Sequence, residues 1–432
     1  MKKLLKKSLF LVQLLLCINT FNYATSQFQL EPIQTLSGEK SAPWQKIEKL
    51  KDLHPRFPNE QFHPKLGHFY SHVLSGFGTK TPHSSEFLLH FAPNFDKATH
   101  KTPILLLHGA NDDATRRYAH PNSPLAKDHL TKTGLMQYLS DQGYAVFAIS
   151  FSHYHGDNIY QGEAVANAIT RIKEVLKQTK NKDFKVDIIT HSKGAMAARS
   201  YLESAPAYYH KKFLTQYRND VRRVIFQCAP LAGLDNMFRY YLYNLTLSSS
   251  KIPAPMGASK LLMYGSYQST GENYIHSGLW QGQLQMISDQ RKIGIPLGMM
   301  SYTSDFNQTM NKLYEGGHSM LLASQGLEKA RLAGGRMIEV LNEKGLPKSV
   351  EFALIAGDFP IIYDERYPAM KIPAGMEMSG KSDGLLYLNS ALYDKGLTNQ
   401  GAKMIGKKVF KLNHVDITKD TKVFNYIKSL LN

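Results

Sequence analysis

Thr190-His191-Ser192-Lys193-Gly194-Ala195 (THSKGA) follows the run Val186-Asp187-Ile188-Ile189 and leads into the small residues Ala197 and Ala198. A serine at the tip of a sharp strand-to-helix turn can act as a nucleophile on two conditions. The residues two places before and after it must be small, because the turn is strained and crowded. The next helix must start at once, so that its N-terminus faces a developing oxyanion. Gly194 satisfies the first condition on one side of Ser192; on the other, Thr190 stands where glycine is usual. The stretch therefore leaves two readings open: an activated nucleophile, or a serine capping an ordinary helix.

Around this stretch the chain alternates short apolar runs with helical periodicity. Residues 87–91, 103–107, 144–150, 186–190 and 221–227 read as strands. Residues 133–142, 164–179 and 195–204 read as helices, with Val165, Ile169, Ile172, Val175 and Leu176 at helical spacing in the second. A further strand is expected at 69–74, and a polar arm over 27–60 with a short helix around 44–53. Such alternation builds a mostly parallel sheet covered by helices. The rhythm stops at 236 and returns with strands at 350–356 and 408–412. The intervening segment, 236–346, is rich in Tyr, Met, Gly and Ser and is too long for a simple loop, so it reads as a helical cap. Tyr240, Tyr241, Tyr243, Tyr264, Tyr267, Tyr274 and Trp280 within it either line an acyl-chain pocket or pack the insertion internally.

The first 26 residues have the make-up of a secretory signal peptide: Lys2, Lys3, Lys6 and Lys7, an apolar run from 9 to 18, and the small-residue site Ala24-Thr25-Ser26. Their removal lowers the formal charge from +17 to +13 and takes Cys17 away, leaving Cys228 as the single cysteine. An exported chain with one cysteine has no intramolecular disulfide and is held by its core; with 43% hydrophobic residues that core is available. Cys228 itself reads as a small buried hydrophobe. The excess of positive charge is spread along the chain with no basic block. This argues against nucleic acid as a partner and is compatible with contact at an anionic or lipid interface.

A serine nucleophile needs a base and a carboxylate, and two later segments offer them. Lys381-Ser382-Asp383-Gly384-Leu385-Leu386 lies beyond the strand at 350–356, and Asn413-His414-Val415-Asp416 directly follows the strand at 408–412. Both fall beyond strand ends, where an open parallel sheet places its site. Taken together, Leu105-Leu106-Leu107-His108-Gly109-Ala110, THSKGA, KSDGLL and LNHVD resemble, in order, the oxyanion, nucleophile, acid and base segments of bacterial secreted lipases and esterases of the α/β-hydrolase superfamily. The resemblance covers about 100–234 and 347–432 and implies an α/β-hydrolase fold: a mostly parallel central sheet flanked by helices, with a large helical cap insertion. The arm and the insertion lie outside the resemblance; with the residue patterns above, the organisation reads as signal peptide 1–26, arm 27–60, core 61–235 plus 347–432, and cap 236–346. The resemblance also implies roles. Ser192 is the nucleophile, His414 the base and Asp383 the acid, with the backbone N–H groups of Ala110 and Lys193 as the oxyanion hole. His108 is expected to shape the oxyanion loop through its side chain.

The expected function is that of an exported serine ester hydrolase, a lipase or carboxylesterase acting on acylglycerol-type esters with no required cofactor. The same machinery serves phospholipases, polyester depolymerases and acyltransferases, and an inactive binding protein on this fold is the reading from another class. Asp358 is a rival for the acid. Asp416 aligns with a residue that binds structural calcium in some of these lipases, with Asp364 or Glu365 as further oxygens. His153-Tyr154-His155-Gly156-Asp157 raises metal chemistry of the His-x-His-x-Asp kind, set against a polar loop that caps the next helix.

Overall fold

The strand runs read from the sequence alternate sides residue by residue, as the pleat of a sheet demands. The computed structural model describes residues 30–62, 75–119, 134–205, 213–235, 281–296, 314–318, 323–324, 326–360 and 380–432. Its main strands are β1 (Leu30–Ser37), β2 (Lys46–Asp52), β3 (Glu86–Phe91), β4 (Ile104–Leu107), β5 (Val146–Phe151), β6 (Val186–His191), β7 (Val221–Gln227), β8 (Glu351–Gly357) and β9 (Lys403–Phe410). They form one nine-stranded sheet in the order β1-β2-β3-β5-β4-β6-β7-β8-β9. The pairs β1–β2, β2–β3 and β3–β5 are antiparallel; the pairs from β5 through β9 are parallel.

The parallel strands inside the sheet, β4 to β8, feed two cores. On β4, Leu105 and Leu107 join one cluster, while Ile104 and Leu106 join the other. The first cluster is covered by α3 (Asn158–Val175) and α4 (Gly194–Leu202), which pack on each other; the second is covered by α2 (Leu135–Asp141) and the C-terminal α9 (Thr421–Leu431). A short α1 (Ala114–Tyr118) follows β4. Covered on both faces, the central strands β4 and β5 are almost entirely apolar instead of alternating with polar residues. This is the α/β-hydrolase fold.

Two local expectations differ from what is found. Residues 46–52 form the strand β2, not a helix. Its inward positions Glu48, Leu50 and Asp52 recur with period two, but two of the three are acids, which hides the pattern. Both acids are buried and paired, Glu48 with Arg171 and Lys46, Asp52 with Arg56 and Asn167. The last strand, β9, begins at 403, earlier than the apolar tail of its sequence suggests. It is a lysine-rich sheet edge with one bonded neighbour, so its side chains are largely exposed.

The signal segment, the strand expected at 69–74 and most of 236–346, including the seven aromatic residues named there, lie outside the described residues. Of that insertion, α5 (Gln281–Leu284), α6 (Gly326–Ala333) and α7 (Met337–Lys344) are described. Residues 317–318 also pair with 323–324. Met337, Ile338, Leu341 and Leu346 enter the main core. No helix among the described residues is long and apolar enough to cross a membrane.

Candidate active site

The candidate residues sit at the carboxyl ends of β4, β6, β8 and β9, the side on which parallel sheets bind ligands. Ser192 follows β6 directly and α4 begins at Gly194. Ser192 has φ 52, a left-handed conformation that a non-glycine residue adopts only under constraint. The constraint is visible. Ser192 N–H donates to the Gln227 carbonyl at 3.0 Å, and the Ser192 carbonyl accepts from Ala195 N–H at 3.0 Å. A Cβ at Gly194 would lie 2.6 Å from the His108 carbonyl oxygen and 2.7 Å from that of Leu107, so only glycine permits this closeness of helix and strand. Thr190 is accommodated inside the sheet, fully buried, with its hydroxyl 3.5 Å from the Ile225 carbonyl. The close backbone approach falls at Gly194 instead.

Lys193 belongs to this turn, and Ala110 follows Gly109 in sequence. Gly109 lies against Ser192, since a Cβ on it would be 2.8 Å from that of the serine. Lys193 caps α4, so its N–H belongs to the first turn, where amides have no intrahelical acceptor. Its side chain runs the other way, fully buried, with Nζ 2.5 Å from Gln161 Oε1. Burial pushes this amine down to about 7, against the pull of Glu60 and Asp157. His108 is engaged on both ring nitrogens: Nδ1–H donates to the Gly109 carbonyl at 2.7 Å, and Nε2 accepts from Phe151 N–H at 3.2 Å. Burial pushes it down to about 4, so it is neutral and braces the loop.

Asp383 and His414 come together from loops after β8 and β9. His414 Nδ1 lies 2.7 Å from Asp383 Oδ2, and His414 N–H donates to the Asp383 carbonyl at 2.9 Å. Asp383 Oδ1 accepts from Leu385 N–H at 2.9 Å and Leu386 N–H at 2.7 Å. Burial alone would push the Asp383 carboxyl up; His414 and these donors outweigh it and hold it below its ordinary value. Asp358 is placed differently. It pairs with Lys411 at 3.1 Å and with Lys381 at 3.8 Å, and neither contact leads to His414. Sequence reasoning missed His191, although it directly precedes Ser192. Its Nε2–H donates to the His414 carbonyl at 2.8 Å, and the two rings lie 4.8 Å apart. Burial keeps His191 well below the usual histidine range.

The remaining candidates are occupied in other ways. Asp416 Oδ2 accepts from Asn413 Nδ2 at 2.8 Å and attracts the nearby Lys419. A cation would need several oxygens, and the described residues around Asp416 do not supply a cluster of acids; Asp364 and Glu365 lie outside them. In the loop after β5, His153 Nε2–H donates to the Gln61 carbonyl at 3.0 Å and its Nδ1 accepts from His155 N–H at 3.1 Å. His155 Nδ1 meets Gln283 Nε2 at 2.5 Å. Asp157 caps α3 through Ile159 N–H at 2.9 Å and accepts from Gln285 at 2.6 Å. These three side chains do not converge on one point; they bind the loop to Gln61, to α3 and to the segment that starts with α5.

Residues 101–216 match the family described as lipase, class 2. These residues, about a quarter of the chain, are similar to that family, and they lie within the α/β-hydrolase sheet. The match takes in the His108-Gly109-Ala110 segment and THSKGA and ends before Asp383 and His414. No curated protein matches the chain. Among solved structures, the mature form of the Bacillus licheniformis lipase BlEst2 is similar at 14% identity and TM-score 0.39, over 78% of this chain and 95% of that one. EstA from Clostridium botulinum is similar at 12% identity and TM-score 0.41, over 77% and 87%. A thermostable carboxyl esterase from Bacillus coagulans is similar at 13% identity and TM-score 0.37, over 80% and 95%.

Proposed function

We propose that this α/β-hydrolase is an exported lipase that cleaves acylglycerol-type esters through Ser192, His414 and Asp383. The observation that carries the reading is the buried His414–Asp383 pair, tied to the turn bearing Ser192 by the bond from His191 to the His414 carbonyl. In the proposed reaction Ser192 Oγ attacks the ester carbonyl carbon while His414 Nε2 accepts the hydroxyl proton. The carbonyl π electrons move onto oxygen, which the N–H groups of Ala110 and Lys193 receive. Collapse of this intermediate breaks the bond to the alcohol oxygen, and His414 returns the proton to that leaving group. Water, deprotonated by His414, then attacks the acyl-serine and releases the acid. Asp383 orients the imidazole and stabilises its charged form, as its two backbone N–H donors and depressed pKa allow.

The preference for acylglycerols is supported by the class 2 lipase match over 101–216 and by the long insertion at 236–346. Export is supported by the residue pattern of 1–26. Incubation of the mature protein with a fluorescent alkyl-phosphonate, followed by adduct mapping, tests the chemistry: labelling at Ser192, absent in Ser192→Ala, is the expected result. A folded protein that remains unlabelled would overturn it. Turnover that declines steadily from short to long acyl chains, even on emulsified substrate, would overturn the lipase assignment while leaving the esterase.

A further inference from the structure

We infer that the Cys228 thiol is a positioning residue for the proposed acid, a hydrogen-bond donor that holds the Asp383 carboxylate in place opposite His414. The inference rests on the reading of Asp383 and His414 as acid and base.

Cys228 is the residue next after β7, anchored by its N–H to the Ile355 carbonyl of β8 at 2.8 Å. Its Sγ, a carboxylate oxygen of Asp383 and a ring nitrogen of His414 all lie within 4.8 Å of one another, and all three residues are buried. Cys228 has φ 44, in the left-handed region where glycine is free of strain and a residue with a Cβ is not. The chain thus places a side chain where backbone geometry favours none, and that side chain faces the carboxylate. On the neighbouring strand the opposite choice is made. A Cβ at Gly357 would lie 2.9 Å from that of Asp383 and overlap the Leu412 carbonyl, so β8 offers bare backbone there.

The donor inventory of Asp383 leaves a place for it. Oδ1 takes two backbone N–H groups and Oδ2 takes His414 Nδ1–H, whereas an ionised carboxylate has about four acceptor positions. The thiol lies within 4.8 Å of this carboxylate, and burial beside it raises the cysteine well above its ordinary range, so it stays protonated, with an S–H to offer the acid. The charged and titratable groups facing this cluster are His414 from the loop after β9, His191 from the serine turn and Arg117 from α1. A thiol donor lowers the basicity of the carboxylate. Removing it makes Asp383 a stronger acceptor for the imidazolium, so the acid limb of kcat/KM moves to higher pH, and a less constrained carboxylate lowers kcat.

The test is the pH profile of p-nitrophenyl ester hydrolysis by Cys228→Ser, Cys228→Ala and Cys228→Gly, with phosphonate labelling and thermal melts alongside. Cys228→Ser retains a donor and is expected to keep the wild-type profile. Cys228→Ala and Cys228→Gly are expected to shift the acid limb upward by about half a pH unit. Their kcat should fall about three- to tenfold with KM little changed. Cys228→Gly relieves the left-handed strain, so it keeps a folded comparison should the alanine variant unfold. An unmoved limb and unchanged kcat in Cys228→Gly would reduce the thiol to packing; so would a serine variant that behaves like alanine. Wild-type protein that fails to label at Ser192 would overturn the underlying triad reading as well, which separates the two failures.

Discussion

His191 Nε2 lies 2.8 Å from the carbonyl oxygen of His414, so the residue that precedes the proposed nucleophile supports the backbone of the proposed base. Two loops that are 223 positions apart in sequence are thereby held at one spacing. His191→Phe keeps the ring and removes the bond. The expected result is a fall in kcat of about tenfold to a hundredfold with KM changed little, since a displacement of about 1 Å is enough for such a loss. A variant with kcat within twofold of wild type would show that the contact does not position the base.

Asp383 and Asp358 make opposite predictions. Asp383→Asn removes the acceptor charge at His414 Nδ1 and should lower kcat by about four orders of magnitude. Asp358→Asn loses only lysine partners whose side chains are exposed, and should leave kcat within a few-fold of wild type. Steady-state kinetics on one soluble ester decides between them.

Acid stability should be set by buried neutral histidines. Burial pushes His108 and His153 down to about 4 from 6.5, and His191 shifts in the same direction. Between those values the unfolded chain binds more protons than the folded one, so stability rises with pH across that window. Lowering the pH from 6.5 to 4 should therefore cost about 3 kcal/mol for each of His108 and His153, with little further loss from them below 4. Asp383 acts below this range: its depressed pKa favours the folded state above its ordinary value, and that contribution disappears as the pH falls through the folded pKa. Urea midpoints measured from pH 7 to 4 would show the decline, and a flat profile would contradict it.

Arg199 and Glu203 form a fully buried pair on α4, with Nε 2.6 Å from Oε1. Burial raises the Glu203 carboxyl to about 7 even with Arg199 opposing the shift. Arg199→Met strands that carboxylate and should destabilise the fold by about 3–5 kcal/mol. The double variant Arg199→Met/Glu203→Leu should recover most of the loss, because the cost lies in the unpaired charge. Equal destabilisation of single and double variants in urea titrations would refute this account.

The sequence by itself determined the parallel sheet and offered Ser192, Asp383 and His414 as candidates. Runs such as Ile104–Leu107 and 146–149 are apolar without alternation because helices cover both faces, and that signal is local. The small residues after Ser192 are local too, since α4 must begin at once. Tertiary structure decided what depends on distant partners. Strand β2 carries acids on its inward face, and Arg171, Arg56 and Asn167 satisfy them from elsewhere in the chain. The His153–Asp157 loop spells a metal pattern, yet Gln61, Gln283 and Gln285 take its polar groups. Cys228 reads as a small hydrophobe; its thiol acquires a different meaning only where β7, β8 and the loop bearing Asp383 meet. A hydrophobic period is written in neighbouring residues, whereas the partner of a buried polar group is chosen by whatever the folded chain brings within hydrogen-bonding distance.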